Sequence, residues 1–198
     1  MPNYKIEFYY KELRRLSRAI VAKNKAGKDI GIEKGFFQCI KLILDLSRKG
    51  NKLIFIGNGG SATIASHMAT DFCKNGNIKA LAINDYSLLT SLSNDLGYQY
   101  VFSKPIELLG ESGDILFAIS SSGKSENILW AAKTAKAKNI ALITLSGFDK
   151  DNPLSKTGEI NFYVPSHSYS HVEILHHSIC HYLLDMILDT KNGVKKKG

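Results

Sequence analysis

Apolar positions along this chain follow two different spacings. Over residues 4–23, Ile6, Tyr9, Tyr10, Leu13, Leu16, Ile20 and Val21 fall at helical intervals with basic residues between them, which predicts an N-terminal helix with a stripe to bury. A polar stretch containing Gly and Lys, residues 23–31, reads as a connection. A second helix is predicted over residues 32–49, stopped by Gly50 just past its end. Beyond it, continuous apolar runs at 53–56, 80–83, 115–119, 140–145 and 160–164 alternate with helical patterns at 61–74, 87–95, 124–137 and 172–188. Runs without in-and-out alternation belong to strands covered on both faces, and their alternation with helices marks βαβ units. The predicted class is α/β: a three-layer αβα sandwich with a central, mostly parallel five-stranded sheet, plus N-terminal helices.

No repeat, low-complexity tract or Pro-rich linker divides the 198 residues, which are few for two separate cores. One domain over 35–190 is expected, preceded by an interface-forming helix and connection over 1–34 and followed by a basic tail over 191–198. The formal net charge of +8 suggests nucleic acid at first sight. Much of it sits at the ends, in Lys11, Arg14, Arg15 and Arg18 and in Lys191, Lys195, Lys196 and Lys197. A frayed tail and a solvated helix face account for that distribution, so no nucleic-acid partner is expected, while the remaining excess favours an anionic substrate. Cys39, Cys73 and Cys180 have no paired spacing and each falls in an apolar helical pattern, as reduced core residues do. No run approaches the ~20 apolar residues of a membrane span, and no signal-like run opens the chain. The expectation is a cytoplasmic protein with no membrane partner.

Candidate chemistry starts with two loops. Gly57-Asn58-Gly59-Gly60-Ser61-Ala62 follows a predicted strand and opens a helix, where glycines let backbone N–H groups approach an anion at the positive helix end. Ser120-Ser121-Ser122-Gly123-Lys124-Ser125 occupies the same position after another strand, and its hydroxyls and amides can converge on one phosphate. One such loop is weak support and its serines could be helix caps, but two together favour a bound phosphate. The lysine of a nucleoside-triphosphate loop and the full dinucleotide fingerprint are both missing.

Paired in this way, Gly57 to Ala62 and Ile119 to Ser125 resemble the sugar isomerase (SIS) domain, and specifically the phosphoheptose isomerases. Leu89-Thr90, Ser93 to Tyr98, Val101 to Lys104, Glu107 to Gly110 and Gly113 to Leu116 extend the resemblance, which runs from about Gly35 to about Leu188. It implies aldose–ketose isomerisation of sedoheptulose 7-phosphate to D-glycero-D-manno-heptose 7-phosphate through an ene-diol, at the start of heptose supply for lipopolysaccharide or capsule. By that resemblance Ser61, Ser120, Ser122 and Ser125 hold the phosphate with Ser121 in the same loop, and Asn58 and Asp95 border the sugar. Homotetramers with active sites at subunit interfaces are implied too, and the apolar stripe from Ile6 to Val21 suits such an interface.

His67 and Asp71 lie four apart on the helix that leaves the first loop, so they share a face and could bind one metal ion. Five of the six histidines fall between His167 and His181, more than a plain core helix would carry. The resemblance implies a zinc site with His and Glu on the first helix and Gln and His on the last, which maps to His67, Asp71, Glu173 and His181. Asp71 is a methylene shorter than the family's Glu, and Glu173 is charged where the family has an amide. Zinc, or another divalent ion, remains compatible with two imidazoles and two carboxylates. Glu173 and His181 are eight apart, about 12 Å along a straight helix, so they share an ion only if the helix starts after Glu173 or bends. His177, four residues from each, is the rival ligand.

The resemblance gives the base to Asp71 and the acid to His181. The shorter Asp71 leaves the base roughly 1.5 Å further from the carbon, enough to cost on the order of 100-fold, so either the ketose differs or another group compensates. A second class stays open, non-catalytic SIS proteins that sense sugar phosphates or partner replication initiation; a metal-ligand set argues for the enzyme.

Overall fold

The apolar runs become strands whose successive side chains enter opposite cores. In the computed structural model, which describes residues 5–193, the order is α1 (Ile6–Arg18), β1 (Val21–Asn24), α2 (Ile32–Ser47), β2 (Leu53–Gly57), α3 (Gly60–Lys74), β3 (Ala80–Ala82) and α4 (Tyr86–Asp95). Then follow α5 (Ser103–Leu109), β4 (Ile115–Ser120), α6 (Glu126–Ala137), β5 (Ala141–Ser146), β6 (Ile160–Tyr163) and α7 (Tyr169–Lys191), with short 3-10 turns at Tyr98–Tyr100 and Pro153–Lys156. Leu53, Phe55, Ile115 and Phe117 pack on one side with α2, α3 and α7, while Ile54, Ile56, Leu116 and Ala118 pack on the other with α5 and α6. Period-two side chains with apolar partners on both faces require an unbroken apolar run. On the first side Phe55 stacks on Phe117 at 4.6 Å and meets Phe72 of α3 at 5.6 Å. Each such fully buried side chain contributes roughly 1.5–3 kcal/mol.

The sheet has six strands rather than five, in the order β1-β6-β5-β4-β2-β3. All neighbours are parallel except the edge strand β1, which pairs antiparallel with β6. β1 takes Val21 and Ala22 from the expected helix, Lys23 from where helix and connection meet, and Asn24 from the expected connection. Asn24 Oδ1 accepts from the Ala26 and Lys28 amides, and Gly27 at φ 73 lets the chain turn back beside it. A four-residue edge strand with two polar positions carries too little pattern to stand out from the helix before it. α1 therefore stops at Arg18; Tyr4 of the expected helix and residues 194–198 of the expected tail lie outside the described residues. Lys191 is no loose tail residue, since it ends α7 and donates to the Gly76 carbonyl at 2.7 Å. Cys39 and Cys180 are buried as expected, but Cys73 is exposed on the outer face of α3. No helix among the described residues is long and apolar enough to cross a membrane.

Candidate active site

α3 and α7 both begin where the sheet's strands end, and both pack on the same core. Their first turns, with the loop after β4, enclose a cavity of about 250 Å³ lined by Asn58, Gly59, Gly60, Ser61, Ile119, Ser120, Ser121, Ser122, Ser125, Tyr169 and Glu173. The loop after β2 needs its glycines. A Cβ on Gly57 would stand 2.5 Å from the Ser61 carbonyl group, and Gly59 sits at φ 53, ψ −125. Gly123 at φ 63 turns the second loop, where its amide donates to Ser120 Oγ and the Ser120 and Ser125 hydroxyls lie 3.2 Å apart. Ser121 Oγ is buried without a partner. Hydroxyls and N–H groups at the starts of α3 and α6 make this an anion cradle. Lys124 points elsewhere, paired with Asp149.

Of the expected substrate residues only Asp95 stands outside the cavity, exposed at the end of α4 and accepting from Asn94. Two groups absent from the expected set stand near it. Asn58 exchanges side-chain hydrogen bonds of 2.9 Å with Asn127, and its Oδ1 also accepts from the Tyr98 hydroxyl at 2.8 Å. No spacing signal could have joined Tyr98 and Asn127 to Asn58, because the loop, the 3-10 turn and α6 meet only in the tertiary structure.

Two turns along α3 from Gly60 lies a second cluster. His67 meets His177 at 5.0 Å and His181 at 5.3 Å between ring centroids, and His177 and His181 are 4.6 Å apart on α7. One possible ligand atom from each of the three lies within 4.8 Å of the others. Asp71 Oδ2 stands 3.2 Å from His67 Nε2. Burial first, then the neighbouring imidazoles of His181 and His67, lower His177 from the usual histidine value. α7 starts at Tyr169, ahead of Glu173, so within one chain Glu173 faces the cradle beside Gly60 and not the histidines. The other histidines of this run do separate work. His176 donates from Nε2 to the Ser146 carbonyl at 3.1 Å and burial lowers its pKa to about 4, so it is a neutral core residue. His171 packs on Tyr9 and His167 on Phe148.

Comparison with known proteins interprets this pairing of a cradle and a histidine cluster. Residues 9–147 match the family model of the SIS domain. A phosphoheptose isomerase of Glaesserella parasuis is 37% identical over 152 residues, covering 74% of this chain and 79% of that relative. The chain belongs to the phosphoheptose isomerase family. Among solved structures, the phosphoheptose isomerase of Neisseria gonorrhoeae superposes with TM-score 0.79 at 31% identity, covering 92% of this chain and 97% of that one. The one from Francisella tularensis gives 0.81 at 28% identity, covering 93% and 96%.

In this member of the family the geometry joins the two clusters: the chain has its cradle and its histidines on one seam. Gly60, His67 and Asp71 follow each other along α3, and Tyr169, Glu173, His177 and His181 form an i, i+4 stripe along α7. Ser61 and His67, six residues apart, are separated by about 9 Å of rise. Gly57→Ala tests the cradle. The added methyl meets backbone rather than a yielding side-chain tip, so we expect about 1–3 kcal/mol of stability lost and weaker phosphate binding. Thermal melting and phosphate titration check it; wild-type values in both would show that the loop does not need this glycine.

Proposed function

We propose that this chain isomerises sedoheptulose 7-phosphate to D-glycero-D-manno-heptose 7-phosphate, the step that opens heptose supply to lipopolysaccharide or capsule. The observation that carries this reading is the seam itself. An extended seven-carbon sugar phosphate spans roughly 9–10 Å from phosphorus to C1 at about 1.2 Å per bond. That matches the rise between Ser61 and His67, so a phosphate in the cradle lays C1 and C2 near the histidine end.

In this mechanism the serine hydroxyls and loop amides bind and orient the phosphate, which fixes the far end of the sugar. Glu173 lines the same cavity beside Gly60, where its carboxylate, an acceptor only, takes hydrogen bonds from sugar hydroxyls. Asp71 removes the proton from C1 of the ketose and returns it to C2, and His181 moves the hydroxyl proton between O1 and O2. Converging imidazole donors beside a carboxylate fit a divalent cation, zinc first by ligand chemistry, with His67 and His181 among its ligands and Asp71 adjoining. Such an ion, when bound, supplies Lewis-acid polarisation of the C1 and C2 oxygens. The thiols Cys39, Cys73 and Cys180 suit a reducing cytoplasm.

The test is turnover of sedoheptulose 7-phosphate and of shorter ketose phosphates by the pure protein, with and without chelator. Turnover that prefers the heptulose and stops on chelation is expected. Tight phosphate binding with no turnover of any ketose would return the chain to the class of sugar-phosphate sensors.

A homotetramer belongs to the same reading. α1 leaves Ile6 68%, Phe8 57% and Tyr10 62% exposed on a helix that is anchored to the body through Leu16 and Tyr9. Exposed apolar side chains of that kind, Ile6 and Tyr10 on one side of the helix and Phe8 on the other, are commonly covered by another copy. Light scattering should give about four times the 21.9 kDa chain mass, and a monomer mass would overturn it.

A further inference from the structure

We infer that His177 is a metal ligand of this chain, in the place that the resemblance gives to Glu173, and that the cation site closes within a single protomer through His67, His177 and His181. This rests on the cation reading above and goes beyond it, because it changes which side chains hold the ion.

Three observations carry the inference. First, the donor nitrogens of His67, His177 and His181 lie within 4.8 Å of one another, whereas Glu173 is a full turn before His177, about 6 Å along α7, and lines the phosphate cavity. Three imidazoles on a tetrahedral zinc at about 2.0–2.1 Å have their nitrogens roughly 3.4 Å apart. Modest side-chain rotation closes that gap. Within one protomer, bringing Glu173 to the same point would require breaking α7 in its second turn. Second, His177 Nε2 is buried and has no hydrogen-bond partner, an unfavourable state that a bound ion at this nitrogen would relieve. Third, His67 is set by its neighbour. Asp71 Oδ2 at 3.2 Å from Nε2 accepts from that nitrogen when it carries the proton, leaving Nδ1 as the free donor atom, an arrangement that metal-binding histidines commonly use.

The chemistry shifts accordingly. Neutral imidazoles leave more of the cation's charge uncompensated than a set with two carboxylates, which strengthens its pull on a sugar oxygen. Glu173 is released to contact the sugar, so the charge that distinguishes it from an amide acts on substrate rather than on the ion.

The experiment uses full-length wild type, His177→Ala, His177→Gln and Glu173→Gln, each stripped with chelator and titrated with Zn²⁺ and, separately, with Co²⁺. Elemental analysis gives stoichiometry and affinity, the visible bands of Co²⁺ report the ligand set, and circular dichroism checks that each variant is folded. We expect wild type to bind one ion per chain and both His177 variants to lose more than about 100-fold in affinity with altered Co²⁺ bands. Glu173→Gln should keep wild-type affinity and spectrum while its KM for the sugar phosphate rises. Wild-type affinity in a folded His177 variant, or loss of the ion in Glu173→Gln, would overturn the assignment while leaving the cation reading intact. Failure of wild type to bind either ion would overturn both.

Discussion

Replacing Asp71 by Asn should lower kcat by on the order of 10²–10⁴ while leaving KM close to wild type. The amide keeps the size and the hydrogen bonding of the side chain but cannot take a proton from carbon. The phosphate cradle lies two to three turns away at the other end of α3, so ground-state binding survives. Because Asp71 also touches His67, metal content must be measured on the same preparation. A fall in kcat with the ion retained identifies proton transfer, and full turnover in Asp71→Asn sinks the assignment. Asp71→Glu then separates two explanations of the short side chain. If the active site is simply mispositioned for this sugar, the added methylene raises turnover by up to about 100-fold. If the surrounding groups have shifted to suit Asp71, the longer acid brings no gain.

His181→Ala carries the second large effect. It removes one of the converging imidazoles and the proposed hydroxyl-proton carrier together, so turnover should fall at least as far as in Asp71→Asn, by about 10³-fold or more. Zn²⁺ titration should show the ion weakened in parallel, and added Zn²⁺ should restore only part of the rate, since the proton carrier is still missing. Inorganic phosphate should bind as in wild type, because the Ser120 to Ser125 loop is untouched. Near-normal turnover in His181→Ala would remove it from the mechanism. Full rescue by zinc alone would restrict its role to holding the ion.

Much of this fold is legible in the sequence. The apolar runs of β2, β4 and β5 lie between two cores, and a strand buried on both faces leaves a signal that needs no neighbour to interpret. The two candidate loops were located as plainly, because Gly57 to Ser61 and Ser120 to Ser125 directly follow such strands, and the fold brings both to one cavity. β1 and α5 were missed for lack of pattern. A four-residue edge strand with Lys23 and Asn24 and a seven-residue helix holding Pro105 are specified mainly by what they pack on.

The histidines divide the two kinds of information most sharply. Sequence alone determined that His67 and Asp71 share a face of α3 and that His177 and His181 share a face of α7, because i, i+4 spacing is a property of the helix itself. It could not determine which face of α7 meets α3. Val172, Leu175, Ile179 and Leu183 settle that by turning into the core and carrying His176 with them to the Ser146 carbonyl. Successive helix residues are about 100° apart, so burying His176 rotates His177 toward His67. The same rotation, with a helix that starts at Tyr169, leaves Glu173 one turn earlier, in the cavity beside Gly60. Residue types and spacing supplied the candidates for metal and sugar; the packing of one helix against its core decided which of them stand together.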